Sequence, residues 1–139
     1  PVVAPPRTDV FFDTNVLLYL TSSDETKSVR AAELLAEGGI VSAHVLGEVT
    51  NVLRGRFWKR PWPEVRDHLI IIRANTVVVP VGVDTHVRAV AYAERYMLQY
   101  FDALHIASAV LANCRTLWSE DMHDGLAIDG LTVRNPFRA

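Results

Sequence analysis

The sequence predicts an α/β fold: a three-layer α/β/α sandwich around a short, mainly parallel sheet of four or five strands. Three observations lead there. Short apolar runs at Val10-Phe11-Phe12, Ile40-Val41, Thr76–Val79 and Thr116–Trp118 lack a solvent-facing alternation, as strands buried on both faces do. They alternate with longer segments of helical period, the pattern of right-handed β-α-β units. The 139 residues, 50% of them hydrophobic, suffice for one domain with its own core, taken as 1–139.

The first strand closes at Asp13, and Thr14 to Leu20 forms a short helix. Beyond Ser22-Ser23-Asp24 a second helix carries Val29, Ala32, Leu34 and Leu35 at near-helical spacing and runs to about Glu37, where Gly38-Gly39 supplies a C-cap. Ile40-Val41 is the second strand. Ser42 N-caps a third helix with the apolar stripe Val45, Val49, Val52 and Leu53, ending near Gly55. After the cluster Arg54 to Pro63, a helix from Glu64 to Ala74 precedes the β-branched strand Thr76–Val79, closed by Pro80. Val83 to Met97 is helical. Phe101 to Cys114 is apolar almost all round, so that helix belongs inside the molecule. Thr116–Trp118 is the fourth strand and Ile128 to Val133 a fifth, before the tail Asn135-Pro136-Phe137.

Composition narrows the function. Fourteen basic and sixteen acidic residues give a net charge of −2, so affinity for a nucleic acid would have to come from a local patch. Lys27 and Lys59 are the only lysines. The lone cysteine, Cys114, in the last turn of the apolar helix, excludes a disulfide framework and fits a reducing compartment. No apolar run approaches the ~20 residues that span a bilayer. The start, Pro1-Val2-Val3-Ala4-Pro5-Pro6-Arg7, has no signal-peptide core. A soluble cytoplasmic protein without a membrane partner is expected.

In parallel α/β sheets the ligand site lies beyond the carboxyl ends of the strands. Asp13 stands there, although an aspartate between strand and helix also serves as an N-cap. Glu48 borders the apolar stripe of its helix with Arg54 facing elsewhere, a costly place for an unpaired carboxylate. Asp102 opens the apolar helix, where capping is the alternative role. Asp121 follows the fourth strand within Ser119-Glu120-Asp121-Met122-His123-Asp124-Gly125, and Asp124 reads either as a further acid or as a turn residue. Carboxylates converging on one edge raise one another's pKa unless a cation intervenes, and an all-oxygen set suits Mg²⁺ or Mn²⁺.

Four stretches resemble the acidic motifs of PIN-domain ribonucleases. They are Phe11-Phe12-Asp13-Thr14-Asn15-Val16-Leu17-Leu18, Glu48 within Ser42-Ala43-His44-Val45-Leu46-Gly47-Glu48-Val49, Asp102-Ala103-Leu104-His105-Ile106-Ala107, and Ser119-Glu120-Asp121. The likeness spans essentially the whole chain and, for a domain of this size, is greatest to the VapC toxins of bacterial toxin–antitoxin pairs. It implies a PIN-like sandwich and a metal-dependent endoribonuclease in which metal-activated water leaves 5′-phosphate and 3′-hydroxyl ends. It further implies that Asp13, Glu48, Asp102 and Asp121 are catalytic and hold Mg²⁺ or Mn²⁺, with Asn15, Ser119 and Asp124 in support. An RNA substrate, a cognate antitoxin and a homodimer complete the expectation. His44, His105 and His123 lie near these motifs, but such a water needs no imidazole, and His105 in its apolar helix reads as a core histidine.

The stretch Arg54-Gly55-Arg56-Phe57-Trp58-Lys59-Arg60-Pro61-Trp62 sets four cations among three aromatics. Arg54, Arg56, Trp58, Lys59 and Arg60 suit RNA or a protein partner, and a structural link anchored by its tryptophans is the competing reading. A haloacid-dehalogenase-type phosphatase needs an aspartate where Asn15 stands, and a receiver-type domain needs a lysine after Lys59. The more serious alternative is a non-catalytic PIN fold kept for RNA or partner binding, against which stands the presence of all four acids.

Overall fold

Phe11 and Phe12 are fully buried in the central strand β1 (Val10–Phe12), where helices cover both faces of the sheet. The computed structural model describes residues 5–138, so the reading of the stretch from Pro1 to Ala4 lies outside the described residues. After β1 come α1 (Thr14–Leu18), α2 (Glu25–Glu37), β2 (Gly39–Ser42), α3 (Ala43–Arg54) and α4 (Trp62–Asn75). β3 (Thr76–Val79), α5 (Val83–Tyr96), α6 (Tyr100–Leu111), β4 (Thr116–Trp118), β5 (Ala127–Ile128) and β6 (Leu131–Arg134) complete the order.

The strands lie in the order β3-β2-β1-β4-β6-β5. All pairs are parallel except β5 with β6, and β1 aligns Val10 with Thr116 and Phe12 with Trp118. α5 packs along α6, which rests on β2, β4 and β6, while α3 packs on α1 and α4. This is the expected α/β/α sandwich. Gly39 lets β2 approach β1, since a Cβ there would fall 2.6 Å from the Phe12 ring.

The sheet has six strands rather than four or five. Asp129 and Gly130 both take left-handed φ angles, 49° and 87°, so the expected fifth strand folds into a two-residue hairpin, β5–β6. An Asp-Gly pair between apolar residues is a strong hairpin signal, and here it splits the expected single strand in two. The first helix is also shorter than expected: Tyr19–Thr21 tightens into a 3₁₀ turn. α4 starts at Trp62, with Pro63 in the first turn, where its missing N–H leaves no bond unmade. α6 stops at Leu111, and Asn113 turns the chain at φ 61°, so Cys114 lies beyond the helix and not in its last turn. Cys114 is still buried, and burial pushes its thiol up to about 12. Among the described residues no helix is long and apolar enough to cross a membrane.

Candidate metal centre

The carboxyl end of β1 meets the start of α1 at Asp13, which is 6% exposed. Its Oδ1 accepts from the Thr14 amide at 2.7 Å, so the capping role is real. Its Oδ2 accepts from the Ser119 hydroxyl at 2.7 Å and from Asn15 Nδ2 at 3.3 Å. The same Asn15 nitrogen donates to Asp121 Oδ2 at 3.0 Å, and its Oδ1 accepts from the Glu120 amide. One amide side chain thereby ties the ends of β1 and β4 together.

Glu48 enters from α3. Its Oε1 accepts from the Thr14 hydroxyl at 2.6 Å and lies 2.8 Å from His105 Nε2, while His44 Nε2 is 3.6 Å from Oε2. Asp102 sits in the first turn of α6, whose N-cap is Gln99. Asp13, Glu48, Asp102 and Asp121 line one cavity of about 290 Å³ together with Asn15 and His105, and no lysine or arginine among the described residues lines it.

The electrostatics follow from burial and crowding. Burial pushes the Asp13 carboxyl above its ordinary value, only partly offset by the facing His105 and the Ser119 hydroxyl. Asp102 is likewise raised, first by burial and then by the charge of Asp13. Burial would raise Glu48 too, but hydrogen bonds from His105 and Thr14 hold it below the usual value. His105 titrates high: burial opposes its charge, and the bond to Glu48 with the charges of Asp13 and Asp102 outweighs that.

Two readings from sequence are corrected here. Glu48 is not without local partners, because His44 lies one turn before it on the same face and His105 reaches it from α6. His105 is buried in α6, as the core reading has it, and the correction is that its Nε2 also joins the acidic cluster. The spacing Asp102 to His105, three residues on one helical face, was the available signal. His44, Glu48 and His105 also bring ligand atoms within 4.8 Å of one another, although His105 Nε2 is already committed to Glu48.

Asp124 stands apart. It accepts from the Asn135 amide at 2.8 Å, faces Arg138, and does not line the acidic cavity, so of Asp121 and Asp124 only Asp121 reaches it. Arg54 contacts the Arg60 carbonyl and stacks 4.6 Å from the Trp62 ring, and Arg60 pairs with Glu64. Arg56 and Lys59 are exposed, and Phe57 beside them is 90% exposed. Trp58 alone of this stretch reaches toward the centre, lining a cavity that also touches Asn15 and Asp121.

A short parallel sheet with acids gathered at its strand ends fits the PIN-like expectation. The PIN-domain family model matches residues 10–124, and the chain belongs to this family. No curated protein sequence matches it. Solved structures share the fold. A toxin–antitoxin complex from Klebsiella pneumoniae aligns at 22% identity and TM-score 0.70, over 94% of this chain and 99% of that one. VapC20 of Mycobacterium tuberculosis, described as a sarcin–ricin loop cleaving toxin, aligns at 20% identity and TM-score 0.62, over 81% and 89%. VapBC2 of Rickettsia felis, bound to a DNA fragment from its promoter, aligns at 16% identity and TM-score 0.64, over 91% and 97%.

Proposed function

We propose that this PIN domain is a metal-dependent endoribonuclease, the toxin of a toxin–antitoxin pair, acting on RNA in the cytoplasm. The observation that carries the reading is the convergence of Asp13, Glu48, Asp102 and Asp121 on one cavity with no lysine or arginine among the described residues to balance them. Such crowding is costly in a site without a ligand and fits a hard divalent cation, for which carboxylate oxygens are the preferred donors. The similar structures, a toxin–antitoxin complex and VapC proteins among them, support the assignment to a toxin with an antitoxin partner.

In this reading Asp13, Glu48, Asp102 and Asp121 hold Mg²⁺ or Mn²⁺. When bound, the ion supplies charge for the phosphodiester and a polarised water. Asn15 keeps Asp13 and Asp121 at a fixed separation by donating to both. Ser119 orients Asp13 by donating its proton to Oδ2 and, being fully buried, is no nucleophile. Cys114 is buried with its thiol raised, so it offers no thiolate either. With neither side chain available, the reading takes water, and not the RNA's own 2′-hydroxyl, as the attacking group, with 5′-phosphate and 3′-hydroxyl ends as its products.

A homodimer is part of the proposal. Val83, Val87 and Val90 form a stripe along α5 and are 79%, 61% and 48% exposed, an apolar face suited to a second copy. Incubation of single-stranded RNA with the protein and Mn²⁺, followed by end analysis of the products, tests the activity. Expected are 5′-phosphate ends that vanish with EDTA and with Asp13→Asn. Cyclic 2′,3′-phosphates reject the mechanism. RNA binding without cleavage favours the non-catalytic reading.

A further inference from the structure

Beside the acidic cavity lies a second one of about 230 Å³. Leu18, Tyr19, Trp58 and Glu120 form walls of it, and it meets the metal centre at Asn15 and Asp121. Its polar wall is already satisfied, because the Glu120 carboxylate accepts from the Tyr19 hydroxyl and pairs with Lys27. Trp58 is held by packing on the core, and the Arg60 guanidinium lies 5.7 Å from its ring centroid. Arg60 is pinned in turn by Glu64 and by the Thr21 carbonyl.

A phosphate entering this space would face Asp121 and Glu120 without a free cation among the described residues that line it. An uncharged planar ring would gain an aromatic partner. The volume has room for one ring system. Because the cavity shares Asn15 and Asp121 with the centre, its occupant sits within one nucleotide of whatever the centre holds.

We infer that this cavity is the subsite for one nucleobase of single-stranded RNA flanking the scissile phosphate, with Trp58 as its stacking platform. The inference rests on the nuclease reading of the adjoining centre and assigns that nuclease its first determinant of sequence preference.

A randomised single-stranded RNA pool cleaved with Mn²⁺ by wild type, Trp58→Ala and Trp58→Phe provides the test, with product ends sequenced. Wild type should favour a base at one position beside the cut. Trp58→Ala should flatten that position alone and lower kcat/KM roughly tenfold or more, and Trp58→Phe should restore most of both. Cross-linking of 4-thiouridine RNA to wild type covers the case in which Trp58→Ala fails to fold, and it should label Trp58 or Tyr19. An unchanged base preference in Trp58→Ala, or cross-links confined to other faces, overturns the subsite. A role for Trp58 in holding a protein partner alone, with RNA behaviour unaltered, overturns it equally. Cross-linking at Trp58 without cleavage by wild type rejects the nuclease reading, and with it the placement beside a scissile phosphate, leaving a base-binding pocket alone. Cleavage abolished by Asp13→Asn but indifferent to Trp58 does the reverse.

Discussion

His105 Nε2 lies 2.8 Å from Glu48 Oε1 and 3.6 Å from Asp13 Oδ1, so one buried imidazole on α6 joins a carboxylate from α3 to another at the end of β1. Among the described residues it is the one basic group lining the cavity of the four acids. Removing one member of a buried ionic pair leaves the other uncompensated. His105→Leu should therefore lower stability by about 2 kcal/mol, less than for a fully buried pair because Glu48 is partly exposed and keeps Thr14. Urea denaturation at neutral pH checks this, and an unchanged midpoint would show that the pair contributes nothing.

Divalent metal should stabilise the fold. A ligand that binds only the native state at a hundredfold its Kd adds about 2.7 kcal/mol. Thermal melts in EDTA and in millimolar Mn²⁺ should differ accordingly, with the difference abolished by Asp13→Asn and reduced by Asp121→Asn. Coincident melts for wild type would count against a metal site.

Asp102→Asn should trade activity for stability. Burial and the charge of Asp13 both disfavour an ionised Asp102. The side chain is partly open to water, which screens that repulsion, so relieving it should add about 1 kcal/mol. Cleavage should fall roughly a hundredfold or more. Parallel denaturation and kinetic assays would separate this from simple misfolding, which lowers both.

Arg56 and Lys59 are the exposed cations of the 54–60 stretch that no hydrogen bond or ion pair holds, whereas Arg54 and Arg60 are occupied within the protein. If the stretch meets RNA, Arg56→Ala with Lys59→Ala should flatten the salt dependence of binding, its logarithmic slope falling by about 0.7 for each phosphate no longer neutralised. Anisotropy titrations of single-stranded RNA across salt concentrations measure it. An unaltered slope assigns the stretch to packing or to the antitoxin.

His68 should make the protein sensitive to acid. It is buried on α4, and burial with the nearby Arg60 holds its pKa below 6.5. The unfolded chain thus binds this proton more readily than the native state. Stability from this group is complete above the unfolded pKa of about 6.5 and declines as pH falls through it. The loss of stability between pH 7.5 and pH 5 should be smaller in His68→Gln by about 1 kcal/mol. Equal losses in the two proteins would mean that His68 takes up its proton without cost.

The strands were legible because a strand buried on both faces has to be apolar throughout. Val10-Phe11-Phe12 carries that signature and is buried throughout, whereas Thr76–Val79 carries it as an edge strand, with Val77 and Val78 exposed, so an apolar run marks the strand but not its burial. The cap at Ser42 was readable for the same local reason, its hydroxyl accepting from the Val45 amide three residues on. The hairpin at Asp129-Gly130 also carries a local signal, the Asp-Gly pair, which reading 128–133 as one strand passed over.

By itself the sequence determined the alternating α/β architecture and the placing of acids at strand ends and helix starts, because both are set by local period and capping chemistry. Only the tertiary structure decided which groups meet. Asp121 and Asp124 are three residues apart and chemically alike, yet Asn15 reaches one while the Asn135 amide takes the other. His105 joins Glu48 across 57 residues of chain, and Trp58 reaches the cavity beside Asp121 from a different loop. Such contacts depend on how α3, α6 and the 54–60 connection are packed on the sheet, and packing is a property of the whole core, which no local pattern encodes.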